Sequence, residues 1–214
     1  MTQKIAVLDY GMGNLRSVSK AIEHVAPGAK VRVTDEHAWI KAADRIVFPG
    51  QGAARDCMAA IGEHHLNREV REAVQNKPFL GICMGLQVLM DFSEENGGTN
   101  LLGILPGEVR RFPAHMPAGN DLPLKIPHMG WSRVEQRQPH PLWKGIDDGA
   151  RFYFVHSYHV VPRQPEVIAA TTDYGVEFVS AVARDNLFAV QFHPEKSADA
   201  GLRLLKNFVN WEPA

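Results

Sequence analysis

The sequence predicts an α/β fold, with a central, mostly parallel sheet, helices on both faces and an added antiparallel sheet. Three observations carry that expectation. Short apolar runs alternate with helically spaced segments through residues 4–92. One of those runs, at 79–83, stops at a cysteine flanked by glycines. The second half then changes to short strand-like runs broken by proline and glycine, followed by a last amphipathic helix.

Taken in order, residues 4–9 are an apolar run and the first strand. Leu15, Val18, Ile22 and Val25 then recur at the spacing of one helix face. Residues 30–34 and 44–48 are the second and third strands. Residues 53–75 read as helical, broken near Gly62. Pro78 ends that stretch, 79–83 is the fourth strand, and 84–92 is the helix after it. Between Gly103 and Val190 the strand candidates are 109–112, 132–136, 152–161, 167–172, 178–184 and 188–191. Segment 113–127 holds four prolines and reads as an exposed loop. Leu202, Leu205, Phe208 and Val209 mark a terminal helix that starts near Ser197.

Composition narrows the class. The chain has 214 residues, 45% hydrophobic and 22% charged, which fits one soluble domain over 1–214. A formal net charge of −1 implies no attraction to nucleic acid or to a membrane surface. No apolar run approaches the roughly 20 residues that span a bilayer. Met1-Thr2-Gln3-Lys4 leads into the first strand without a signal-peptide pattern. The two cysteines, Cys57 and Cys83, do not make a disulfide scaffold, and a reducing cytoplasm is the expected location.

The chemistry starts at Gly81-Ile82-Cys83-Met84-Gly85. At a sharp strand-to-helix turn, G-x-C-x-G is the cysteine form of the nucleophile elbow. Glycines on both flanks remove β-carbons that would clash there. An ordinary thiol, with a pKa near 8.5, is only about 3% thiolate at pH 7. The first amides of the following helix and a histidine cation favour the charged form. A cysteine nucleophile needs a base, and the base needs an orienter. His193 follows the apolar strand 188–191, at the sheet edge where α/β sites lie. Glu195, two residues on, faces the same way in an extended segment stiffened by Pro194. The developing oxyanion needs donors, and the Met84 N–H is one. The glycine-rich turn Pro49-Gly50-Gln51-Gly52 offers a second.

Other residues read as structural. Cys57 sits in a helical stretch without flanking glycines, as an inert buried thiol does. His156 and His159, three apart on one predicted strand, fall on opposite faces and share no metal ion. His64-His65 reads as solvated. Gly11-Met12-Gly13 lacks the third glycine of a dinucleotide fingerprint. A stand-alone cysteine hydrolase and a binding module with an inert cysteine remain as alternative readings of the residues alone.

Gly81-Ile82-Cys83-Met84-Gly85-Leu86-Gln87, with Phe192-His193-Pro194-Glu195 far downstream, resembles the class I glutamine amidotransferases. Further segments sharpen the likeness. They are Asp9-Tyr10-Gly11-Met12-Gly13-Asn14-Leu15, Phe48-Pro49-Gly50-Gln51-Gly52, His128-Met129-Gly130-Trp131, Tyr153-Phe154-Val155-His156-Ser157-Tyr158 and His193-Pro194-Glu195-Lys196-Ser197. Together they are most similar to glutaminase subunits that serve a (β/α)8-barrel cyclase of histidine biosynthesis, as a heterodimer. The likeness implies that Cys83 is the nucleophile, His193 the base and then the acid, and Glu195 its orienter. It implies that L-glutamine is held by Gly52, Gln87, Glu95, Ser157 and Tyr158, with no cofactor and no metal. It places Asn14, Trp131, Tyr153 and Lys196 at the cyclase interface. The family's usual loop is P-G-V-G, and here Gln51 takes the valine position. In the family that loop completes the oxyanion hole when the partner is engaged. A rival glutaminase subunit, for pyridoxal phosphate synthesis, fits less well at Gly11-Met12-Gly13-Asn14 and Met129-Gly130-Trp131.

Overall fold

The computed structural model describes residues 2–114 and 124–213. Its elements are β1 (Lys4–Leu8), α1 (Leu15–Val25), β2 (Lys30–Thr34), α2 (His37–Ala42), β3 (Arg45–Gly50), α3 (Ala54–Glu63), α4 (Asn67–Asn76), β4 (Phe79–Cys83) and α5 (Met84–Gln87). There follow β5 (Phe92–Ser93), β6 (Thr99–Asn100), β7 (Gly107–Arg111), β8 (His128–Arg133), β9 (Glu135–Gln136), β10 (Arg151–His156), β11 (Tyr158–Pro162), β12 (Ile168–Asp173), β13 (Glu177–Arg184), β14 (Leu187–Val190) and α6 (Ala198–Val209).

The main sheet runs β2-β1-β3-β4-β14-β13-β11-β7-β5-β6. Its first five strands are parallel. From β14 onward the pairings with β13, β11 and β7 are antiparallel. The antiparallel addition is therefore largely continuous with the parallel sheet, and among the described residues only the ribbon β8–β10 stands apart.

Strands buried on both faces explain the unbroken apolar runs. Ile5 and Val7, with Leu80 and Ile82, pack under α1 and α6 through Val18, Ile22, Leu204 and Phe208. Ala6 and Leu8, with Ile46 and Phe48, pack under the other helices through Ile40, Cys57, Ile61 and Val70. This alternation is the period of two written into each strand.

Three sequence expectations about these elements need correction. The helix after Cys83 is one turn, not the span 84–92. The carbonyls of Val88, Leu89 and Met90 are taken by amides of Leu102, Ile104, Leu105 and Gly103, so no i→i+4 ladder continues. The strand 152–161 breaks at Ser157 into β10 and β11, which belong to different sheets. The strand 132–136 begins four residues earlier and divides at Val134, β8 pairing β10 and β9 pairing β12. Helix α2 and the short strands β5 and β6 were not foreseen, each being too short to show a period. The proline segment 113–127 falls partly outside the described residues.

Candidate active site

The elbow is built by close backbone packing. Cys83 ends β4 with φ 57° and ψ −109°, a conformation that costs an ordinary residue on the order of 1–3 kcal/mol. A Cβ on Gly85 would lie 1.8 Å from the Phe48 carbonyl oxygen, and one on Gly81 would lie 2.7 Å from the Gly85 carbonyl. Glycine at both places lets α5 start directly against β3 and β4. Cys83 is 6% exposed.

β14 lies parallel to β4 and delivers the second group to the same end of the sheet. The His193 N–H donates to the Tyr153 carbonyl at 2.9 Å. The Ser197 hydroxyl donates to the His193 carbonyl at 2.6 Å and accepts from the Tyr153 N–H at 2.9 Å. A Cβ on Gly201 would come within 1.9 Å of the Pro194 carbonyl, so α6 packs tightly on this turn. His193 Nδ1 and Glu195 Oε1 are 2.9 Å apart, with the carboxylate fully buried. His193 Nε2 is buried without a hydrogen-bond partner among the described residues and is left for the adjoining Cys83. Burial opposes a charge on His193, but the neighbouring Cys83 and Glu195 outweigh it and push its pKa up to about 10.

Cys83, His193, Gln87, Glu95, Gly52, Ser157 and Tyr158 line one cleft of about 600 Å³. Gln87 Nε2 donates to the Tyr158 carbonyl and to Gln191 Oε1, both at 3.0 Å. Glu95 Oε2 accepts the Ala54 N–H at 2.7 Å, which caps α3 and holds the carboxylate on the cleft wall.

Met84 and Gln51 also line the cleft. Gly50 packs on Met84: its Cβ would meet Met84 Cβ at 2.8 Å and Tyr10 Oη at 2.3 Å. The Tyr10 hydroxyl donates to the Pro49 carbonyl at 2.8 Å, and the Cys57 thiol donates to the Gln51 carbonyl at 3.4 Å. Two of the loop's carbonyls are thus held from the core side.

Trp131, Tyr153 and Lys196 come together at the surface. The Trp131 and Tyr153 rings are 6.2 Å apart and Lys196 Nζ lies 5.9 Å over the Tyr153 ring. Trp131 is 48% exposed and its neighbour Met129 61%. Asn14 caps α1, its Oδ1 accepting the Ser17 N–H.

Sequence reasoning missed Gln191, fully buried beside the nucleophile, and His156 on the cleft wall. Gln191 Nε2 lies 3.7 Å from Cys83 Sγ. Its signal was present, since a polar residue two before His193 shares its face on an extended segment. His156 also lines the cleft. The corner at Ser157 overturns the opposite-face argument for His156 and His159, because both rings pack on Phe112. No group of three or more metal-binding side chains occurs among the described residues.

The sequence pattern of the family Glutamine amidotransferase class-I matches residues 6–211. The imidazole glycerol phosphate synthase subunit HisH of Aromatoleum aromaticum is 60% identical over 210 residues, covering 98% of this chain and 99% of that one. The same-named protein of Thiobacillus denitrificans is 61% identical over 216 residues, covering 100% and 93%. In fold the chain is similar to the structure of PurLQS from Thermotoga maritima, with TM-score 0.74, 17% identity and coverage of 98% and 99%. It is also similar to a glutamine amidotransferase from Thermotoga maritima, with TM-score 0.61, 14% identity and coverage of 98% and 84%. The chain belongs to the class-I glutamine amidotransferase family, in the branch of the HisH proteins of imidazole glycerol phosphate synthase.

Proposed function

We propose that this chain is the glutaminase subunit of an imidazole glycerol phosphate synthase. It hydrolyses L-glutamine to glutamate and passes the ammonia to a (β/α)8-barrel cyclase, which makes imidazole glycerol phosphate and an aminoimidazole carboxamide ribonucleotide. The observation that carries this reading is the meeting of Cys83 and His193 in one cleft, with Glu195 paired to His193 behind it.

The steps follow from that geometry. The Cys83 thiolate attacks the glutamine carboxamide carbon, and the oxyanion forms beside the Met84 amide and the 50–52 loop. His193 gives its proton to the departing ammonia as the C–N bond breaks, leaving a thioester. Neutral His193 then takes a proton from water as that water attacks the thioester, and collapse releases glutamate and the Cys83 thiolate, restoring the starting ion pair. Glu195 keeps the imidazole oriented throughout. Glu95 suits the α-ammonium of the substrate by charge, and the main chain at Ser157 and Tyr158 suits its carboxylate. Gln87 and Gly52 close the pocket.

Ammonia released into neutral water becomes ammonium, which is no nucleophile, so a partner must receive it out of solvent. The exposed apolar patch of Met129 and Trp131, with Tyr153 and Lys196 beside it, is the docking surface this reading requires. In a complex of this chain with the cyclase, Cys83→Ala abolishes glutamine-dependent synthesis and keeps ammonia-dependent synthesis. A variant that still uses glutamine overturns the nucleophile assignment.

A further inference from the structure

His156 on the cleft wall and His128 behind it are buried histidines that the proposed chemistry does not use. β8 and β10 place His128 directly opposite His156. The His156 Nδ1 is 2.8 Å from the Tyr158 carbonyl oxygen. A carbonyl only accepts, so Nδ1 carries the proton. Burial pushes the His156 pKa down to about 3, so the ring is neutral and its Nε2 is an acceptor. His128 Nδ1, 3.0 Å away, is then the donor to it. Burial pushes His128 down to about 4, so it too is neutral and its Nε2 accepts. The Ser132 hydroxyl, 2.8 Å from that nitrogen, completes the line as a donor.

Every tautomer in the line Ser132–His128–His156–Tyr158 is therefore fixed by a single carbonyl. The His128 ring is also held in place, stacked on Tyr174 at 3.9 Å and on Phe154 at 4.8 Å. The far end of the line is the wall of the cleft. The Tyr158 carbonyl accepts from His156 and from Gln87, and residue 158 begins β11 just past the Ser157 corner. The main chain fixes one side of this corner, where the Phe112 N–H donates to the Ser157 carbonyl at 3.1 Å, and these side chains fix the next carbonyl along, that of Tyr158.

We infer that His128 and His156 are positioning residues for glutamine, holding the Ser157–Tyr158 main chain at the geometry that receives the substrate. This inference rests on the glutaminase reading. The two histidines touch no reacting atom, and their removal acts on substrate binding rather than on the thiol. The outer face of the same ribbon carries Trp131 and Tyr153, so the surface offered to a partner and the support of the substrate corner belong to one pair of strands.

The test is steady-state glutamate release by the complex with the cyclase. His128→Phe keeps a stacked ring and removes both nitrogens; it raises the KM for glutamine about tenfold with kcat within twofold. His128→Asn, which restores a donor near the Nδ1 position, brings KM back to within about threefold of the parent. His156→Leu raises KM as His128→Phe does, and His156→Asn, which keeps a donor for the Tyr158 carbonyl, raises it less; this pair decides the matter if His128→Phe does not fold. Unchanged KM in the Phe and Leu variants overturns the inference, as does a fall in kcat at constant KM. Absence of glutamine turnover in the unsubstituted complex overturns the proposed function instead, and this inference with it.

Discussion

Glu195 and His193 are joined at 2.9 Å, Oε1 to Nδ1, and the carboxylate in that contact is fully buried. Burying a carboxylate is costly unless it is paired. Here one oxygen is paired and the other, Oε2, has no partner among the described residues. The arrangement orients one ring edge to Glu195 and leaves the other for Cys83. Replacing Glu195 with Gln keeps the shape and removes the charge. Glutamine turnover by the complex is expected to fall by roughly 10²-fold or more, within the usual span for general acid–base groups. Ammonia-dependent synthesis is expected to stay unchanged, and parallel assays with the two nitrogen donors check both parts.

His193 titrates near 10 in the folded protein, against 6.5 for an unperturbed side chain. A folded pKa above the unfolded one adds stability that is complete below about pH 6.5 and is lost as pH rises through about 10. Chemical denaturation of the parent chain and of His193→Gln across that window measures it. The stability advantage of the parent is expected to shrink steadily with rising pH. An advantage that is flat or grows contradicts the assigned charge.

The two cysteines are expected to differ sharply toward a small alkylating agent. Cys83 faces the cleft beside a histidine cation. Cys57 is fully buried, donates to the Gln51 carbonyl, and burial pushes its thiol up to about 12. Brief treatment of the folded chain with iodoacetamide, followed by peptide mass spectrometry, is expected to modify Cys83 and spare Cys57. Equal labelling contradicts the distinction.

Much of this site was legible in the chain because its key groups are local. G-x-C-x-G announces an elbow by the β-carbons it omits, and the 1.8 Å and 2.7 Å approaches at Gly85 and Gly81 show why. His193 and Glu195 are two apart, so their pairing is local, but residues 194–196 form a single 3₁₀ turn rather than the expected extended segment, and that turn, not a strand period, brings the carboxylate back to the ring. What stayed hidden depends on tertiary context. The end of α5 is set by amides from residues 102–105, far along the chain. The break at Ser157 is a change of sheet, invisible in a run that reads as one strand. That corner turns His156 toward the cleft and brings His128 to it from another strand. Gln191 is a different case: it closes the apolar run 188–191 that placed His193 at the sheet edge, and its position two residues before His193 was a signal left unread.

A glutaminase that depends on a second protein is tested by glutamate release with and without purified cyclase and its ligand. The expected result is weak release by the chain alone and a strong rise when the liganded cyclase is added. Equal release in both conditions contradicts it.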